Sequence, residues 1–253
     1  MSHLLRTHDL TVTFGVTRAN DEVSLEVEPG SLVGLIGPNG AGKTTFIDAL
    51  TGFVPASGRI EFDGIEIHDL PAHRRARMGL GRTWQSLELF DDLTVRENLM
   101  VAAQRQTARN LLADMVRPTR RRLDADVDHA LDLLGIGHLA DLSSNEISQG
   151  HRKLVSAARA LAARPRLVCM DEPAAGLDPE ESRALGRRLR TLVDGGTAVL
   201  LIDHDMDLVL DVCDRIYVLE FGRVIAHGTP AQIRNDPAVV AAYLGSVDEG
   251  ADT

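Results

Sequence analysis

Leu32-Val33-Gly34-Leu35-Ile36-Gly37-Pro38-Asn39-Gly40-Ala41-Gly42-Lys43-Thr44-Thr45 decides how this chain is read. Leu32 to Ile36 is an apolar burst of strand length, a glycine-rich stretch follows at once, and Thr44 to Leu50 reads as a helix. Strand, loop and helix in that order are the setting in which G-x-x-x-x-G-K-[ST] carries meaning, and Gly37 to Thr44 satisfies it. A chance match in a chain of this size has odds of about one in a hundred. The spacing has a chemical reason. Glycines let the backbone of Gly37, Pro38, Asn39, Gly40, Ala41 and Gly42 wrap tightly with N–H groups turned toward phosphate oxygens. Lys43 supplies a point charge for the β- and γ-phosphates, and Thr44 offers a hydroxyl to Mg²⁺. The loop alone specifies a nucleoside triphosphate, and kinases, GTPases, helicases and transport ATPases all use it. The sequence holds no N-K-x-D guanine clamp.

Working outward, the first third reads as strands, with alternation over Leu10–Phe14 and Val23–Val27. Arg59 to Phe62 is a further short strand, and Asp63-Gly64 is a hairpin signal. From Asp92 to about Ala163 the pattern turns helical. Thr94-Val95-Arg96-Glu97 is a capping box, and Leu123 to Leu134 is a helix stopped by Gly135 to Gly137. A basic run, Arg117 to Arg122, precedes Asp124, Asp126 and Asp128 and reads as a solvated helix start. The last third returns to strand and helix in alternation. It runs through Leu167–Met170, a helix capped by Asp178-Pro179-Glu180-Glu181, Thr197–Ile202, a helix ending at Val212, Ile216–Leu219 and Val224–Ala226. Thr229-Pro230-Ala231-Gln232 caps a late helix, and Asp248 to Thr253 reads as a frayed tail. The pattern implies an α/β fold with a mainly parallel sheet covered on both faces and interrupted by a helical insertion.

Leu167 to Asp171 is an apolar strand ending in a carboxylate. Asp171 would emerge at the carboxyl end, where α/β sheets place ligands, and would hold Mg²⁺ directly or through water. Glu172 follows and could polarise an attacking water. A plain turn before Pro173 is the competing reading of this pair.

Composition bounds the rest. The 253 residues carry 27 Lys plus Arg against 37 Asp plus Glu, a formal net charge of -10, with 4 % aromatics. This balance argues against a nucleic-acid coat, a base-stacking platform or a polybasic lipid anchor. The two cysteines, Cys169 and Cys213, lack metal or redox spacing and read as small core residues of a reducing compartment. No run approaches the ~18 apolar residues of a membrane span, and the N-terminus does not read as a signal peptide. The expectation is a cytoplasmic chain, soluble or peripheral to something else.

Gly37–Thr45, Gln85, Ile147-Ser148-Gln149-Gly150, Leu167–Pro173, Ala174-Ala175-Gly176-Leu177-Asp178 and His204 come in the order found in ABC transporter ATPases. The chain resembles that family over essentially its whole length. The resemblance implies a P-loop NTPase with a RecA-like lobe over about 1–85 and 164–228. It also implies an antiparallel β edge, a helical subdomain over about 86–163 and a C-terminal helical extension over about 229–253. It implies two ATPases facing head to tail, each ATP lying between one phosphate loop and the other chain's signature motif. Carried over by position, Phe14 resembles the aromatic that stacks on adenine, with an ordinary core aromatic as the lesser reading. Thr45 completes the nucleotide-binding loop. Gln85 resembles the glutamine that touches Mg²⁺ and relays to the membrane subunits, with Trp84 as packing beside it. Ser148, Gln149 and Gly150 resemble the signature that meets the partner's ATP, and Asp178 resembles the aspartate that crosses the dimer interface. Glu172 resembles the catalytic carboxylate and His204 the switch histidine. The metal set so implied is Thr44, Gln85 and Asp171.

Gln149 and His151 depart from the common L-S-G-G-Q. A residue other than glycine at the third position is usual in the branched-chain amino-acid subfamily, and His151 is the less expected change. Leu70–Arg74, Gly81–Gln85, Ala174–Glu180, Leu201–Val209 and Ala242–Gly245 are similar to the ATPases of high-affinity branched-chain amino-acid importers, the LivG type. Urea and amide importers and lipopolysaccharide-export ATPases lie close by. A soluble ABC ATPase of DNA repair or translation is a further alternative. The partners implied are a second ATPase (a homologous LivF-type chain or a second copy), two permease subunits docked near Gln85 and the helical insertion, and an extracytoplasmic binding protein. The implied place is the cytoplasmic membrane face.

Overall fold

The computed structural model describes residues 3–83, 89–103 and 120–245. Among these, the chain first forms β1 (Leu5–Phe14), β2 (Thr17–Val27) and β3 (Leu32–Ile36), then α1 (Lys43–Thr51), β4 (Ser57–Phe62) and β5 (Ile65–Glu66). Next come α2 (Ala72–Arg77), β6 (Leu80–Arg82), α3 (Val95–Ala103), α4 (Arg120–Leu133) and α5 (Gln149–Ala162). The last third is β7 (Leu167–Asp171), α6 (Pro179–Asp194), β8 (Ala198–Ile202), α7 (Met206–Val212), β9 (Arg215–Glu220), β10 (Arg223–Gly228), α8 (Pro230–Arg234) and α9 (Pro237–Gly245).

Two sheets result. One is antiparallel, in the order β2-β1-β4-β5; the other has the order β10-β9-β3-β8-β7-β6 and is parallel except where β10 pairs with β9. The antiparallel component expected from sequence therefore occupies two places, a sheet of its own and one edge of the parallel sheet. All five residues of β3, β7 and β8 are buried, which is why each reads as an unbroken apolar run. Successive residues point to opposite faces and feed different cores. Leu32, Ile36, Val168, Met170, Val199 and Leu201 pack against the helices α3 to α7. Val33, Leu35, Cys169, Leu200 and Ile202 pack with Phe46, Ile47 and Leu50 of α1 and with the antiparallel sheet. Each such side chain contributes roughly 1.5–3 kcal/mol on burial, so the sheet is held from both sides.

The sequence signals at element ends resolve as hydrogen bonds. The Thr94 N–H donates to Glu97 Oε2 at 2.9 Å while the Glu97 N–H donates to Thr94 Oγ1 at 3.2 Å. Asp178 accepts from the N–H groups of Glu180 and Glu181, and the Glu181 carboxylate accepts from the Asp178 N–H, with Pro179 opening α6. Thr229 caps α8 in the same way. Both cysteines are buried core residues, and burial pushes the Cys169 thiol up to about 12. Among the described residues no helix is long and apolar enough to cross a membrane. Trp84, Gln85, the first half of the basic run (117–119) and the tail from Asp248 lie outside the described residues.

Candidate nucleotide site

The phosphate loop is shaped by two glycines that no other residue could replace. Gly37 has φ 149°, and a Cβ there would fall 2.0 Å from the Leu219 carbonyl oxygen. Gly42 has φ 98°, and its Cβ would strike the Ala19 carbonyl oxygen at 2.3 Å. Only a residue without a Cβ tolerates both conditions. Gly42 is the N-cap of α1, and no side chain caps that end, so its first N–H groups and the positive pole of the helix face the loop. That is an anion-binding end. The Lys43 ammonium donates to the carbonyls of Gly37 at 2.7 Å and Pro38 at 2.9 Å, which holds it over the loop. Burial pulls its pKa below the usual lysine range, against the pull of Glu172 and Asp171.

Asp171 ends β7 beside the loop. Thr44 Oγ1 donates to Asp171 Oδ2 at 3.1 Å, and the Asp171 N–H donates to the Thr83 hydroxyl at 3.0 Å. Its Oδ1 is buried and has no hydrogen-bond partner. Burial raises the Asp171 pKa despite the Thr44 bond and the nearby cations. An orphaned carboxylate oxygen next to a threonine hydroxyl is a hard, oxygen-only donor set, and it fits Mg²⁺. Gln85, the third expected metal residue, lies outside the described residues.

Glu172 is the strained residue of the site, with φ 50°. The Glu172 N–H donates to the Ile202 carbonyl at 2.7 Å, and Lys153 Nζ donates to the Glu172 carbonyl at 3.3 Å. These bonds hold a left-handed conformation that a glutamate does not choose freely. His204 Nδ1 lies 3.9 Å from Glu172 Oε1, so the two catalytic candidates face each other with the histidine ring mostly exposed. A cleft of about 260 Å³ is lined by Ala19, Asn39 to Thr45, Asp171 and Glu172.

The structure thus brings together Gly37, Pro38, Asn39, Gly40, Ala41, Gly42, Lys43, Thr44, Thr45, Asp171, Glu172 and His204. Phe14 is 52 % exposed, which removes the core-aromatic reading; it sits on the β1–β2 hairpin whose Ala19 lines the cleft. Ser148, Gln149, Gly150 and Asp178 do not line that cleft. They form a second cluster, where Gly150 is packed so closely that a Cβ would meet Leu177 Cδ2 at 2.8 Å and the Gly176 carbonyl oxygen at 3.0 Å. Ser148 caps α5 by accepting from the His151 N–H, so that helix also has a defined N-terminus.

Sequence reasoning missed three supports of the site. Thr83 orients Asp171. Lys153 reaches from α5 to Glu172. Asp203, fully buried, accepts from the Ala174 N–H at 3.1 Å and the Asp205 N–H at 3.0 Å, fastening the turn that carries His204 to the stretch after Glu172. Burial raises the Asp203 pKa. Its signal was present in the sequence, an acid directly after the apolar run Ala198–Ile202.

The sequence model described as "ABC transporter" matches residues 20–175, and one described as "Branched-chain amino acid ATP-binding cassette transporter" matches residues 223–249. The high-affinity branched-chain amino acid transport ATP-binding protein BraF of Pseudomonas aeruginosa is 42 % identical over 96 % of this chain and 98 % of that protein. LivG of Escherichia coli, named for the same transport, is 41 % identical over the same shares. The lipopolysaccharide export system ATP-binding protein LptB of Escherichia coli is 39 % identical over 95 % of this chain and 97 % of its own length. A crystal structure of a nucleotide-free ATP-binding cassette from an ABC transporter superposes with a TM-score of 0.84 at 33 % identity, covering 95 % of this chain and 98 % of that one. The ADP conformation of such a cassette gives 0.83 at 33 % identity, over 97 % of this chain and 100 % of that one. With this agreement of fold, loop geometry and sequence, the chain belongs to the ABC transporter family, as one of its ATP-binding cassettes.

Proposed function

We propose that this chain is the ATP-hydrolysing subunit of a transporter that takes up branched-chain amino acids or related amides. The identity to BraF and LivG carries this reading, supported by the match of residues 223–249 to the branched-chain cassette model. ATP binds with its phosphates on the loop from Gly37 to Thr45, against Lys43 and the N-terminus of α1, and its adenine rests on Phe14. Mg²⁺ held by Thr44 and Asp171, with Gln85, would neutralise phosphate charge. Glu172 accepts a proton from the attacking water, and His204, facing Glu172, contacts the γ-phosphate. The strain at Glu172 fixes the carboxylate ahead of the reaction.

The second cluster serves a neighbouring chain. Ser148, Gln149 and Gly150 at the start of α5, together with Asp178, approach the ATP of a second ATPase, either a LivF-type chain or another copy. We read 1–85 and 164–228 as the nucleotide lobe, 86–163 as the helical subdomain and 229–253 as a C-terminal extension. Between the first two lies a groove of about 630 Å³, lined by Phe53, Pro71, Leu80 and Arg82 on one side and by Ala160 and Ala163 on the other. A permease segment with an apolar face fits this groove, whose Arg82 precedes Gln85 by three positions in the sequence, and attaches the chain to the cytoplasmic membrane surface without a lipid anchor. Substrate would be delivered by an extracytoplasmic binding protein.

Deleting the chain from its host should abolish high-affinity uptake of labelled leucine, isoleucine and valine. Wild type should restore it, and Lys43→Ala should not. Unchanged uptake in the deletion strain, together with a defect in lipopolysaccharide export, would favour the LptB-like role instead.

A further inference from the structure

Asn20 of β2 is fully buried, and its side-chain amide grips the phosphate loop: Asn20 Nδ2 donates to the Gly42 carbonyl at 3.1 Å. The same carbonyl accepts the Phe46 N–H at 2.9 Å, so it points along α1 and is fixed from outside by the strand. The preceding carbonyl is held as well. In the turn between β9 and β10, the Gly222 N–H donates to the Ala41 carbonyl at 3.1 Å. Turn and strand are tied to each other, since the Asp21 N–H donates to the Gly222 carbonyl at 2.9 Å. The Asp21 carboxylate accepts from Arg18 at 2.9 Å and from Arg223 at 2.8 Å. Gly222 has φ 78°, and a Cβ there would fall 2.7 Å from the Ala19 carbonyl oxygen, so glycine lets the turn lie this close. In a planar trans peptide, the C=O of one residue and the N–H of the next point in opposite directions. Fixing the Ala41 and Gly42 carbonyls therefore fixes the N–H groups of Gly42 and Lys43, and that of Lys43 is turned back out of the N-terminus of α1. The other amide atom of Asn20, Oδ1, is buried and has no hydrogen-bond partner among the described residues. A buried polar atom left unpaired costs stability, and an apolar side chain of similar size would carry no such cost.

We propose that Asn20 is a positioning residue for the nucleotide, holding the Gly42–Lys43 peptide so that its N–H is set to meet a phosphate before ATP arrives. The inference rests on the reading of this loop as the ATP site. Glycine-rich backbone has the most conformational freedom to lose, so an anchor on it lowers the ordering cost of binding. Asn20 keeps an unpaired oxygen in the interior and gives its donor to this one peptide, which trades stability for the arrangement of the loop.

Asn20→Leu nearly keeps the shape and removes both amide groups, and the Gly42 carbonyl retains the Phe46 N–H. A fluorescent ATP analogue titrated on the full chain should bind Asn20→Leu about three- to tenfold more weakly than wild type, the range of one neutral hydrogen bond. The KM for ATP of the assembled complex should rise by the same factor, with kcat at saturating ATP within about twofold. The melting temperature of the nucleotide-free chain should stay level or rise by up to about 4 °C, because the unpaired oxygen is gone. Weaker binding by a chain that is no less stable is what a residue that only packs would not produce. Asn20→Val, smaller and suited to a strand, gives the same readings if leucine does not fit. Unaltered affinity and KM in a folded variant overturn the proposal. So does a loss of affinity that comes only with a lowered melting temperature in both variants. A wild-type chain that fails to bind the analogue would reject the ATP-site reading instead, so the two failures are distinct.

Discussion

The phosphate-loop cluster and the signature cluster use their polar groups differently. Around the loop, polar groups are aimed into a cleft and left incompletely satisfied: the N-terminus of α1 is uncapped by any side chain, and Asp171 Oδ1 has no partner. At the signature, Ser148 is engaged in capping α5, and Asp178 in a reciprocal capping box on α6. The first cluster is built to receive charge from a ligand. The second is built to present two helix ends from a stable platform, and it does not line the cleft at the phosphate loop. The difference fits the proposal that the second cluster completes a reaction site on another molecule, and each change below tests one side of that division.

The largest effect is expected at the carboxylate facing His204. Glu172→Gln should retain ATP binding and lose turnover by at least about a hundredfold in the complex with its membrane partners, the scale of a lost general base. Near-normal phosphate release would remove Glu172 from the chemistry.

Asp171→Asn should cost comparable turnover and yet stabilise the isolated chain. The folded pKa of Asp171 is raised by burial, so the ionised form destabilises the fold above that pKa. The asparagine protein should gain about 1–2 kcal/mol at neutral pH, roughly 2–6 °C in melting temperature. The gain should shrink as pH falls and vanish below about 3.9, where the unfolded carboxyl is protonated as well. Thermal melts of both proteins from pH 4 to pH 8 check this. A loss of stability on substitution would mean that Asp171 is satisfied as it stands.

Ser148→Arg separates the clusters. Nucleotide affinity of the isolated chain should stay within about twofold, while turnover of the assembled complex should fall about tenfold or more, because a donor to the partner's phosphates is replaced by bulk. Equal losses in both assays would place Ser148 in the chain's own site.

How far these clusters were legible depended on where their signals sat. The strand–loop–helix unit at Leu32–Leu50 announces itself because a strand buried on both faces is continuously apolar and the glycines are forced by close backbone contacts. β1 is harder: it begins at Leu5 rather than Leu10, since Thr7 is buried with its hydroxyl bonding Val23 and Leu25, and Asp9 interrupts the pairing in a left-handed conformation. Alternation fails where a polar residue finds its partners inside. α2 and the three-residue β6 were invisible for a related reason. The buried residue of α2 is Arg75, whose guanidinium donates to the carbonyls of Ala49, Leu50, His68 and Leu70. No apolar period marks such a helix. The pairing of Thr83 with Asp171 and of Lys153 with Glu172 joins residues far apart in sequence, and only the folded sheet reveals it.

The smallest effect belongs to His151, and it sharpens the comparison most finely. Ser148 Oγ accepts the His151 N–H at 3.2 Å and lies 3.0 Å from His151 Nδ1. The ring is steadied by an edge contact with His138, at 6.2 Å between centroids. A ring nitrogen so close competes for the one proton of the Ser148 hydroxyl, the proton that would otherwise be offered to a phosphate. The ATP site completed by this chain's signature should therefore run below its capacity, and if the partner ATPase is a different chain, the two sites of the pair should differ. His151→Gln removes the ring and should raise turnover of the reconstituted complex about threefold, the value of a modest hydrogen bond. Nucleotide affinity of the isolated chain should not change, since the signature cluster lies outside its cleft. Constant turnover in the His151→Gln complex would mean that the Ser148 hydroxyl is not limiting there, and that the departure from L-S-G-G-Q serves only the packing of α5.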